Sequence, residues 1–374
     1  MVRNPFITVG YEGPEYFCDR VEETQRLTKL LLNGNNVLLM SPRRIGKTGL
    51  LHHCFSSGEI SSAYNTFIID IYSTKNLDDL VFAMGRTIIS SLKSKGRKAM
   101  ERFLDIVSSL RQGVTFDYQG NPTWNLDIGS LKTPTFTLDQ IFSYLEQSEK
   151  NCLVAIDEFQ QITYYPEDNV EAILRTYIQR CHNTTFVFSG SERHLLSEMF
   201  TSPARPFYAS TSTLSLDCIA REKYVEFAVN LFERNGRKVS HAVPETVYDR
   251  FEGTTWFVQK VMNYLYSDTE PGSTCTPDMI DEAIHQIVND NSPIYADLLY
   301  QLTPRQKELL LAINKEGKAQ AITGGKFIKR YHLPTPSTIQ TTAKALTDKQ
   351  LVTNQQGTYE VYDRFLSIWL SETF

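Results

Sequence analysis

A lysine and a threonine follow a glycine in the segment 41–48, which reads Ser-Pro-Arg-Arg-Ile-Gly-Lys-Thr. An apolar run precedes this segment at 36–40 and a partly apolar run follows it at 49–55, so the pattern predicts a strand, a tight loop and a helix that begins at Gly-Lys-Thr. Backbone N–H groups in such a loop point at phosphates, and the helix dipole favours negative charge there. Lys47 could reach the β- and γ-phosphates of a nucleoside triphosphate, and the Thr48 hydroxyl could ligate Mg²⁺.

This predicted phosphate loop departs from the usual pattern G-x-x-x-x-G-K-S/T at its first position, which is Ser41. Serine can form a turn but lacks the freedom of glycine at positive φ, so Pro42 would set the bend. The alternative is a surface turn that carries three basic residues. On the first interpretation, the nucleotide contacts come from Ser41, Pro42, Arg43, Arg44, Ile45, Gly46, Lys47, Thr48 and Gly49.

Two adjacent carboxylates, Asp157 and Glu158, end the apolar segment 151–158. A continuous apolar run of this length is typical of a strand that is buried on both faces of a parallel sheet. Open α/β sheets bind ligands at the carboxyl ends of their strands, where these acids would lie. We therefore expect Asp157 to hold Mg²⁺ and Glu158 to polarise an attacking water as the base of a hydrolysis. The alternative is a strand that ends in two solvated acids.

The composition argues against several classes of protein. Apolar residues make up 41% and charged residues 22% of the 374 residues, as in soluble globular proteins, and the length predicts two or three domains. No apolar run approaches the ~20 residues of a membrane helix, and the first residues do not resemble a signal peptide, so we expect a cytoplasmic protein without a membrane partner. The six cysteines lie singly, which argues against zinc and against a disulfide framework.

The net charge of −5 argues against a protein that coats nucleic acid. The charge is uneven, because residues 301–374 contain ten Lys/Arg and six Asp/Glu and therefore carry +4. The preceding 300 residues carry −9. The chain is thus predicted to join a modestly basic C-terminal module to an acidic body.

Strand and helix patterns alternate around the two motifs. The additional predicted elements are the strands 66–72, 184–191 and 213–216 and the helices 24–32, 77–92 and 137–147. This alternation predicts an α/β core in which helices cover both faces of a parallel sheet. Residues 93–134 interrupt the alternation, and we predict an insertion there with a small hairpin and a mobile loop. A solvated helix end explains the basic patch of this insertion better than a binding site does.

The strand patterns stop after residue 216. Helical patterns continue to about residue 290, and beyond it three helical patterns and a hairpin with its turn at 354–357 predict a winged helix. We expect Phe365 and Trp369 to close this module by aromatic packing. The predicted domains are a core at 1–216 (with the insertion at 93–134), a helical lid at 217–290 and a winged helix at 291–374.

Four segments resemble motifs of the prokaryotic AAA+/STAND group of P-loop ATPases, and the resemblance extends over nearly the whole chain. The four are Phe17 to Arg20 with Glu22 and Glu23 (F-x-G/D-R-x-x-E), the phosphate loop with its Pro-Arg-Arg, the acid strand 156–160, and Ser189-Gly190-Ser191 with Met199 behind it. The resemblance implies a P-loop core with a helical lid and a winged helix. It also implies that ATP or ADP binds with Mg²⁺ and that Phe17 and Arg20 lie on the adenine side.

The same resemblance implies roles for residues further along the chain. Ser189 or Ser191 would be a sensor near the γ-phosphate; the alternative is a cap of the following helix. Arg205 lies where such cores carry an arginine finger, which stabilises charge on the transferred phosphoryl group; the alternative is an ordinary surface arginine. The segment 253–259 corresponds to the lid motif of the family, although Thr255 replaces its proline.

Three functions remain open at this point. The leading hypothesis is an ATP-hydrolysing switch, slow on its own, whose lid and winged helix rearrange with the nucleotide state. Its assigned residues are Glu158, Lys47 and Arg205 for catalysis and Thr48 and Asp157 for Mg²⁺. One alternative is a DNA-binding ATPase that resembles origin-recognition initiators, although the predicted recognition helix 337–346 carries a single cation. Another is a nucleotide-locked scaffold that docks a protein partner. A finger supplied in trans would require an oligomer in the ATP state.

Overall fold

The computed structural model describes residues 4–111, 114–117, 121–124 and 134–374. These residues divide into two units. The sheet unit is Val9–Lys223, and the helical unit comprises residues 4–8 together with Tyr224–Phe374. Within the described ranges, no helix is both long enough and apolar enough to cross a membrane.

The sheet unit alternates strands and helices along the chain. Its strands are β1 (Val37–Met40), β2 (Asn65–Asp70), β3 (Val114–Phe116), β4 (Pro122–Trp124), β5 (Cys152–Asp157), β6 (Thr184–Gly190) and β7 (Ser212–Ser215). Its helices are α1 (Val21–Leu32), α2 (Lys47–Ser56), α3 (Gly58–Ala63), α4 (Leu77–Leu92), α5 (Arg97–Ile106), α6 (Ser108–Arg111), α7 (Pro134–Glu146), α8 (Val170–Arg180) and α9 (Arg193–Thr201). A 3₁₀ helix at Phe159–Tyr164 follows β5, with Glu158 between them.

Five of these strands form one parallel sheet in the order β2-β5-β6-β1-β7. Alternate residues of β1 face opposite sides of it. Leu38 packs into an apolar cluster that includes α4 and α7, whereas Val37 and Leu39 pack into a second cluster with α1 and α2. Because helices cover both faces, every residue of β5 and β6 is buried. The predicted α/β fold with a doubly covered parallel sheet is confirmed.

The predicted insertion at 93–134 contains more helix than the sequence patterns suggested. Along α5, Met100, Phe103 and Leu104 are buried in the cluster that includes α4 and α7. These residues have helical spacing, but the many charged residues around them hide the pattern. The predicted hairpin is confirmed, since β3 and β4 are antiparallel with Thr115 opposite Thr123. The predicted mobile loop falls in part outside the described residues.

The helical unit is built mainly from helices. They are α10 (Arg221–Arg234), which begins at the end of the sheet unit, α11 (Ala242–Arg250), α12 (Thr255–Asp268), α13 (Met279–Tyr300), α14 (Pro304–Glu316), α15 (Gly325–Tyr331), α16 (Pro336–Asp348) and α17 (Arg364–Thr373). The short strands of this unit are β8 (Lys238–Val239), β9 (Thr274–Cys275), β10 (Ala319–Gln320), β11 (Val352–Gln355) and β12 (Thr358–Val361).

Residues 4–8 pack into the helical unit, which the sequence did not indicate. The Phe6 ring is fully buried and lies 5.5 Å from the Phe232 ring and 5.9 Å from the Tyr266 ring. The Asn263 side chain donates to the Phe6 carbonyl, and the Trp256 indole N–H donates to the Thr8 carbonyl. Residues 4–8 therefore belong to the helical unit, and the sheet unit starts at Val9.

The C-terminal part of this unit has the predicted three helices and hairpin. The Thr303 hydroxyl and the Gln306 side chain form a reciprocal capping box at the start of α14, with Pro304 at the first helical position. Strands β11 and β12 pair antiparallel, and β10 joins them as a third strand. The predicted aromatic closure is confirmed for Trp369, which packs on Tyr295, whereas the Phe365 ring lies 5.3 Å from the ring of Phe251, in the segment predicted as the lid.

Helix α13 is longer than predicted. The helical patterns predict an end at about residue 290, but α13 continues through Pro293 to Tyr300. Its buried stripe also continues, with Val288, Tyr295 and Leu299 on one face, and this packing outweighs the helix-breaking tendency of the proline. The predicted boundary at residue 290 falls inside this helix, and the division into three domains stays a prediction.

Candidate functional site

The phosphate loop connects β1 to α2 and brings the start of α2 to the carboxyl ends of the strands. Gly46 has φ +94° and Arg44 has φ +66°, so the backbone turns through left-handed conformations just before the helix. Glycine adopts such a conformation without strain, which explains its place at position 46. Helix α2 begins at Lys47. The predicted order of strand, tight loop and helix is confirmed.

Lys47 and the two acids, which are far apart in the sequence, meet at this edge of the sheet. The Lys47 ammonium lies 2.9 Å from Asp157 Oδ1 and 3.0 Å from Glu158 Oε1. All three side chains are largely buried, with 7%, 6% and 18% of their respective surfaces exposed. One cation thus compensates two acids that would otherwise be costly to bury.

Asp157 is held in its ionised form by its neighbours. Burial tends to raise the pKa of its carboxyl, but the charge and hydrogen bonds of Lys47, with the hydroxyls of Ser189 and Thr48, outweigh burial and lower it. The Thr48 hydroxyl donates to Asp157 Oδ2 at 2.7 Å, and the Ser189 hydroxyl donates to Oδ1 at 2.7 Å. A hydroxyl oxygen beside a carboxylate oxygen fits Mg²⁺, which proteins usually hold through few side chains together with substrate phosphates.

Glu158 follows β5 in a left-handed conformation, with φ +57°. Its Oε1 accepts from Lys47, and its Oε2 accepts from Gln160 Nε2 at 2.6 Å and from the Ser191 hydroxyl at 2.9 Å. The Ser191 backbone N–H also points at Oε2, at 3.3 Å. In turn, Arg43 of the phosphate loop donates from Nε to the Ser191 hydroxyl at 2.9 Å. A continuous set of hydrogen bonds therefore joins the phosphate loop to Glu158.

Ser189, in β6, and Ser191, just after its end, form hydrogen bonds with the acids rather than with the following helix. Helix α9 has Glu192 at its N-cap position and no side-chain capping bond. The alternative that Ser189 or Ser191 caps this helix is therefore wrong. Their predicted contact with a γ-phosphate stays a prediction, since the two hydroxyls lie on Asp157 and Glu158.

Arg20 stabilises the phosphate loop through a hydrogen bond to a backbone carbonyl. Its guanidinium donates to the Ile45 carbonyl at 3.2 Å and to the Asp217 carbonyl at 2.6 Å, and it pairs with Glu23 at 2.7 Å. The side chain is buried. Arg20 is thus placed to hold the shape of the loop, and its predicted role on the adenine side stays a prediction.

Phe17 lies on the first turns of α2. Its ring stacks on His53 at 4.4 Å, and a Cβ added at Gly49 would lie 3.3 Å from the Phe17 ring. Tyr11 extends this aromatic group, since its hydroxyl lies 2.9 Å from His53 Nδ1. Phe17 therefore leaves little room for a side chain at position 49. The predicted contact of Phe17 and Gly49 with nucleotide stays a prediction.

Arg205 pairs with an acid outside the group formed by Lys47, Asp157 and Glu158. It lies between α9 and β7, and its guanidinium pairs with Glu171 of α8 at 2.7 Å. Arg205 Nε and Glu171 Oε2 are buried and have no hydrogen-bond partner among the described residues. The structure thus supplies an ion-pair role for Arg205, and an action as a finger on a neighbouring copy stays a prediction.

Sequence reasoning missed Gln160 and the bond between Arg43 and Ser191. Gln160 is part of the acid-strand motif, but a glutamine two residues after a glutamate carries no chemical signal of its own. The one available hint was a polar residue in an apolar segment that continues as Phe159-Gln160-Gln161-Ile162.

Two family models match the chain. Residues 17–261 match an ATPase domain predominantly from Archaea, and residues 293–372 match a probable winged helix domain. No curated protein matches the sequence.

Solved structures share this fold over nearly the full length of both chains. A Walker-type ATPase of Pyrococcus abyssi is 18% identical with a TM-score of 0.63, over 98% of this chain and 99% of that chain. The ORC2 protein of Aeropyrum pernix, solved in ADPNP–ADP complexes, is 17% identical with a TM-score of 0.60. The ORC1 protein of the same organism, solved in complex with DNA, is 13% identical with a TM-score of 0.57. The comparisons with ORC2 and ORC1 each cover 99% of this chain and 97% of the other chain.

Proposed function

The chain belongs to the family of ATPase domains found predominantly in Archaea, and we propose that it works as an ATP-driven switch of the AAA+/STAND type. The observation that carries this proposal is the convergence of Lys47, Asp157 and Glu158 at the end of a parallel sheet. These groups can bind, orient and hydrolyse a nucleoside triphosphate with little covalent work by the protein.

The phosphates would lie on the loop between β1 and α2. Backbone N–H groups of residues 43–47 and the N-terminus of α2 attract negative charge, and Lys47 adds a full positive charge. Thr48 and Asp157 would hold Mg²⁺. When bound, Mg²⁺ supplies charge that stabilises the phosphate oxygens.

Glu158 is the base in this proposal. In the structure Lys47 neutralises both acids, so a bound γ-phosphate competes with them for the lysine. Once Lys47 turns to the phosphate, Glu158 Oε1 is free to accept a hydrogen bond from water. The carboxylate then receives a proton from that water. At the same time the water oxygen attacks phosphorus, and the bond from phosphorus to the ADP oxygen breaks.

The switch consists of a change in the arrangement of the sheet unit and the helical unit. A ligand shifts such an equilibrium only by contacting the two states differently. ATP and ADP differ in the γ-phosphate, which only ATP presents to Lys47, Glu158 and Ser191. The hydrogen bonds from Ser191 to Glu158 and from Arg43 to Ser191 are the contacts that would change.

Phosphate release by the purified chain tests the catalytic part. The Glu158→Gln variant should bind ATP normally and hydrolyse it about 10²–10⁴ times more slowly, because general bases contribute that much. Glu101→Gln is the matched control, since Glu101 is an exposed carboxylate paired with Arg97. A Glu158→Gln variant with wild-type turnover would remove Glu158 as the base.

The radius of gyration in each nucleotide state tests the proposed switch. Small-angle scattering with ADP and with a non-hydrolysable ATP analogue should give different radii of gyration for the wild type. The Lys47→Met variant should give the same radius with both. Equal radii for the wild type in the two nucleotides would contradict the switch, and a rise in mass with the ATP analogue would support a finger in trans.

DNA binding is a second candidate function. The winged helix match at 293–372 and the likeness to an ORC1 structure solved with DNA favour it. Helix α15 carries Lys326, Lys329 and Arg330, whereas α16 carries Lys344 as its single cation. We expect duplex binding that weakens steeply with salt and weakens further in a Lys326→Glu/Lys329→Glu variant, measured by fluorescence anisotropy. Lack of binding at low salt would leave the winged helix as a packing or protein-docking module, as in a nucleotide-locked scaffold.

A further inference from the structure

Gln160 is a buried polar residue beside the proposed base. It lies in the 3₁₀ helix that follows β5, and 2% of its surface is exposed. Its Nε2 donates to Glu158 Oε2 at 2.6 Å. Its Oε1 is buried and has no hydrogen-bond partner among the described residues. Burial of a half-satisfied amide costs stability, so packing alone does not account for a glutamine here.

Gly190 makes room for this amide. A Cβ added at Gly190 would lie 2.0 Å from Gln160 Oε1 and 2.8 Å from Leu196 Cδ1. Gly190 is the last residue of β6, where glycine contributes little to the strand itself. The close approach of Gln160 therefore explains the glycine, and the two positions form one structural feature.

The two oxygens of Glu158 are held by different groups. Oε2 accepts from Gln160 and from the hydroxyl and backbone N–H of Ser191, whereas Oε1 accepts from Lys47. Only the Nε2 end of the Gln160 amide can face a carboxylate oxygen, so the orientation of the amide is determined. The Glu158 carboxylate is thus held in place through Oε2, whereas its Oε1 faces Lys47.

We propose that Gln160 is the positioning residue of Glu158. It holds Oε2, so that Oε1 is the oxygen released when Lys47 engages a phosphate. Oε1 then takes the proton from the attacking water, whose oxygen forms the new bond to phosphorus as the bond to the ADP oxygen breaks. This inference rests on the proposed role of Glu158 as the base.

Two nearly isosteric variants separate hydrogen bonding from packing. Gln160→Met keeps the volume and removes the donor, and Gln160→Glu keeps the shape and replaces the donor with a carboxylate. At pH 7.5 both should lower kcat about ten- to hundredfold, the usual cost of losing a supporting partner, while the Kd for ATP stays near that of the wild type. As the pH falls, the carboxyl of the Gln160→Glu variant gains a proton that it can donate. Its kcat relative to the wild type should therefore recover, whereas that of Gln160→Met should not.

Gln161→Met is the matched control. Gln161 lies in the same 3₁₀ helix, but its Nε2 donates to the Thr74 carbonyl at 3.0 Å rather than to Glu158. This variant should keep wild-type kcat. A double-mutant cycle with Gly190 adds a measurement of stability. Gly190→Ala should lower the melting temperature, and Gln160→Ala/Gly190→Ala should regain part of the loss, because truncation removes the contact with Gln160 Oε1 but not the one with Leu196 Cδ1, while kcat stays low.

Each outcome decides one question. Wild-type kcat in Gln160→Met, with Glu158→Gln inactive, overturns the role of Gln160 and leaves the proposed base in place. Wild-type kcat in Glu158→Gln overturns the base itself and with it this inference. If kcat falls in Gln161→Met as well, Gln160 acts only through packing and the inference is overturned. The same holds if acidification does not restore the kcat of Gln160→Glu relative to the wild type.

Discussion

Replacing Lys47 with methionine removes the cation shared by two buried acids. The Lys47 ammonium lies 2.9 Å from Asp157 and 3.0 Å from Glu158. Removing one partner of a buried ion pair costs about 3–5 kcal/mol, because the remaining charge loses its compensation. In a unit of this size each kcal/mol shifts the melting temperature by about 2–4 °C. We therefore expect Lys47→Met to melt roughly 6–20 °C below the wild type at pH 7.

The pH dependence distinguishes this charge effect from a packing defect. In the wild type, burial raises the pKa of Asp157, but Lys47, Ser189 and Thr48 together lower it further. The stability that Asp157 contributes is therefore present above its unfolded pKa of about 3.9 and is lost as the pH falls through its lower folded pKa. Without Lys47, burial should raise the folded pKa above the unfolded one. The folded variant would then bind the proton first, and its stability should increase as the pH falls from 7 to 5.

Thermal unfolding of the nucleotide-free chain, followed by circular dichroism at pH 5, 6 and 7, measures both effects. The double variant Lys47→Met/Asp157→Asn is the control, because it also removes the more deeply buried of the two uncompensated charges. It should melt above Lys47→Met at pH 7 and show a smaller rise on acidification. Equal melting temperatures for Lys47→Met and the wild type, or a double variant less stable than the single one, would refute the reasoning.

Three further predictions concern Gly46 of the phosphate loop, Arg205 and the buried ring of Phe365. Gly46→Ala should destabilise the chain by about 1 kcal/mol or more, because φ is +94° at this position, and should weaken nucleotide binding in a fluorescence titration. Arg205→Ala should lower kcat about 10³–10⁵-fold with an unchanged Kd for ATP if it acts as a finger; an unchanged kcat would leave it as the ion-pair partner of Glu171. Phe365→Ala should cost about 3–5 kcal/mol in urea unfolding, since its buried ring packs on Phe251 and Phe257, and an unchanged midpoint would contradict that packing.

Local patterns predicted the elements that surround the site. Apolar runs located β1, β5 and β6, and the order Gly46-Lys47-Thr48 placed a helix start after a tight turn. These features depend on residues near one another in the chain, where burial and backbone preferences act directly. The same reasoning failed for α5, whose charged residues hide its buried face, and for α13, where packing carries the helix through Pro293.

The partners of each side chain in the candidate site depend on the order of the strands. Strand β6 lies between β1 and β5, with Ser189 opposite Leu39, and this order brings the end of β6 beside both the phosphate loop and the acids. The bonds from Arg43 to Ser191 and from Gln160 to Glu158 follow from that arrangement. A sequence pattern contains neither the strand order nor the conformation of a residue such as Glu158.

Residue types and their spacing predicted the groups of the candidate site: a lysine and a hydroxyl at a helix start, and two acids at a strand end. How these groups restrain one another follows from the folded arrangement, in which Lys47 is shared between the acids and Gln160 lies against Gly190. A residue type fixes charge and hydrogen-bonding capacity, whereas distances between residues far apart in the chain are set by the packing of the whole sheet.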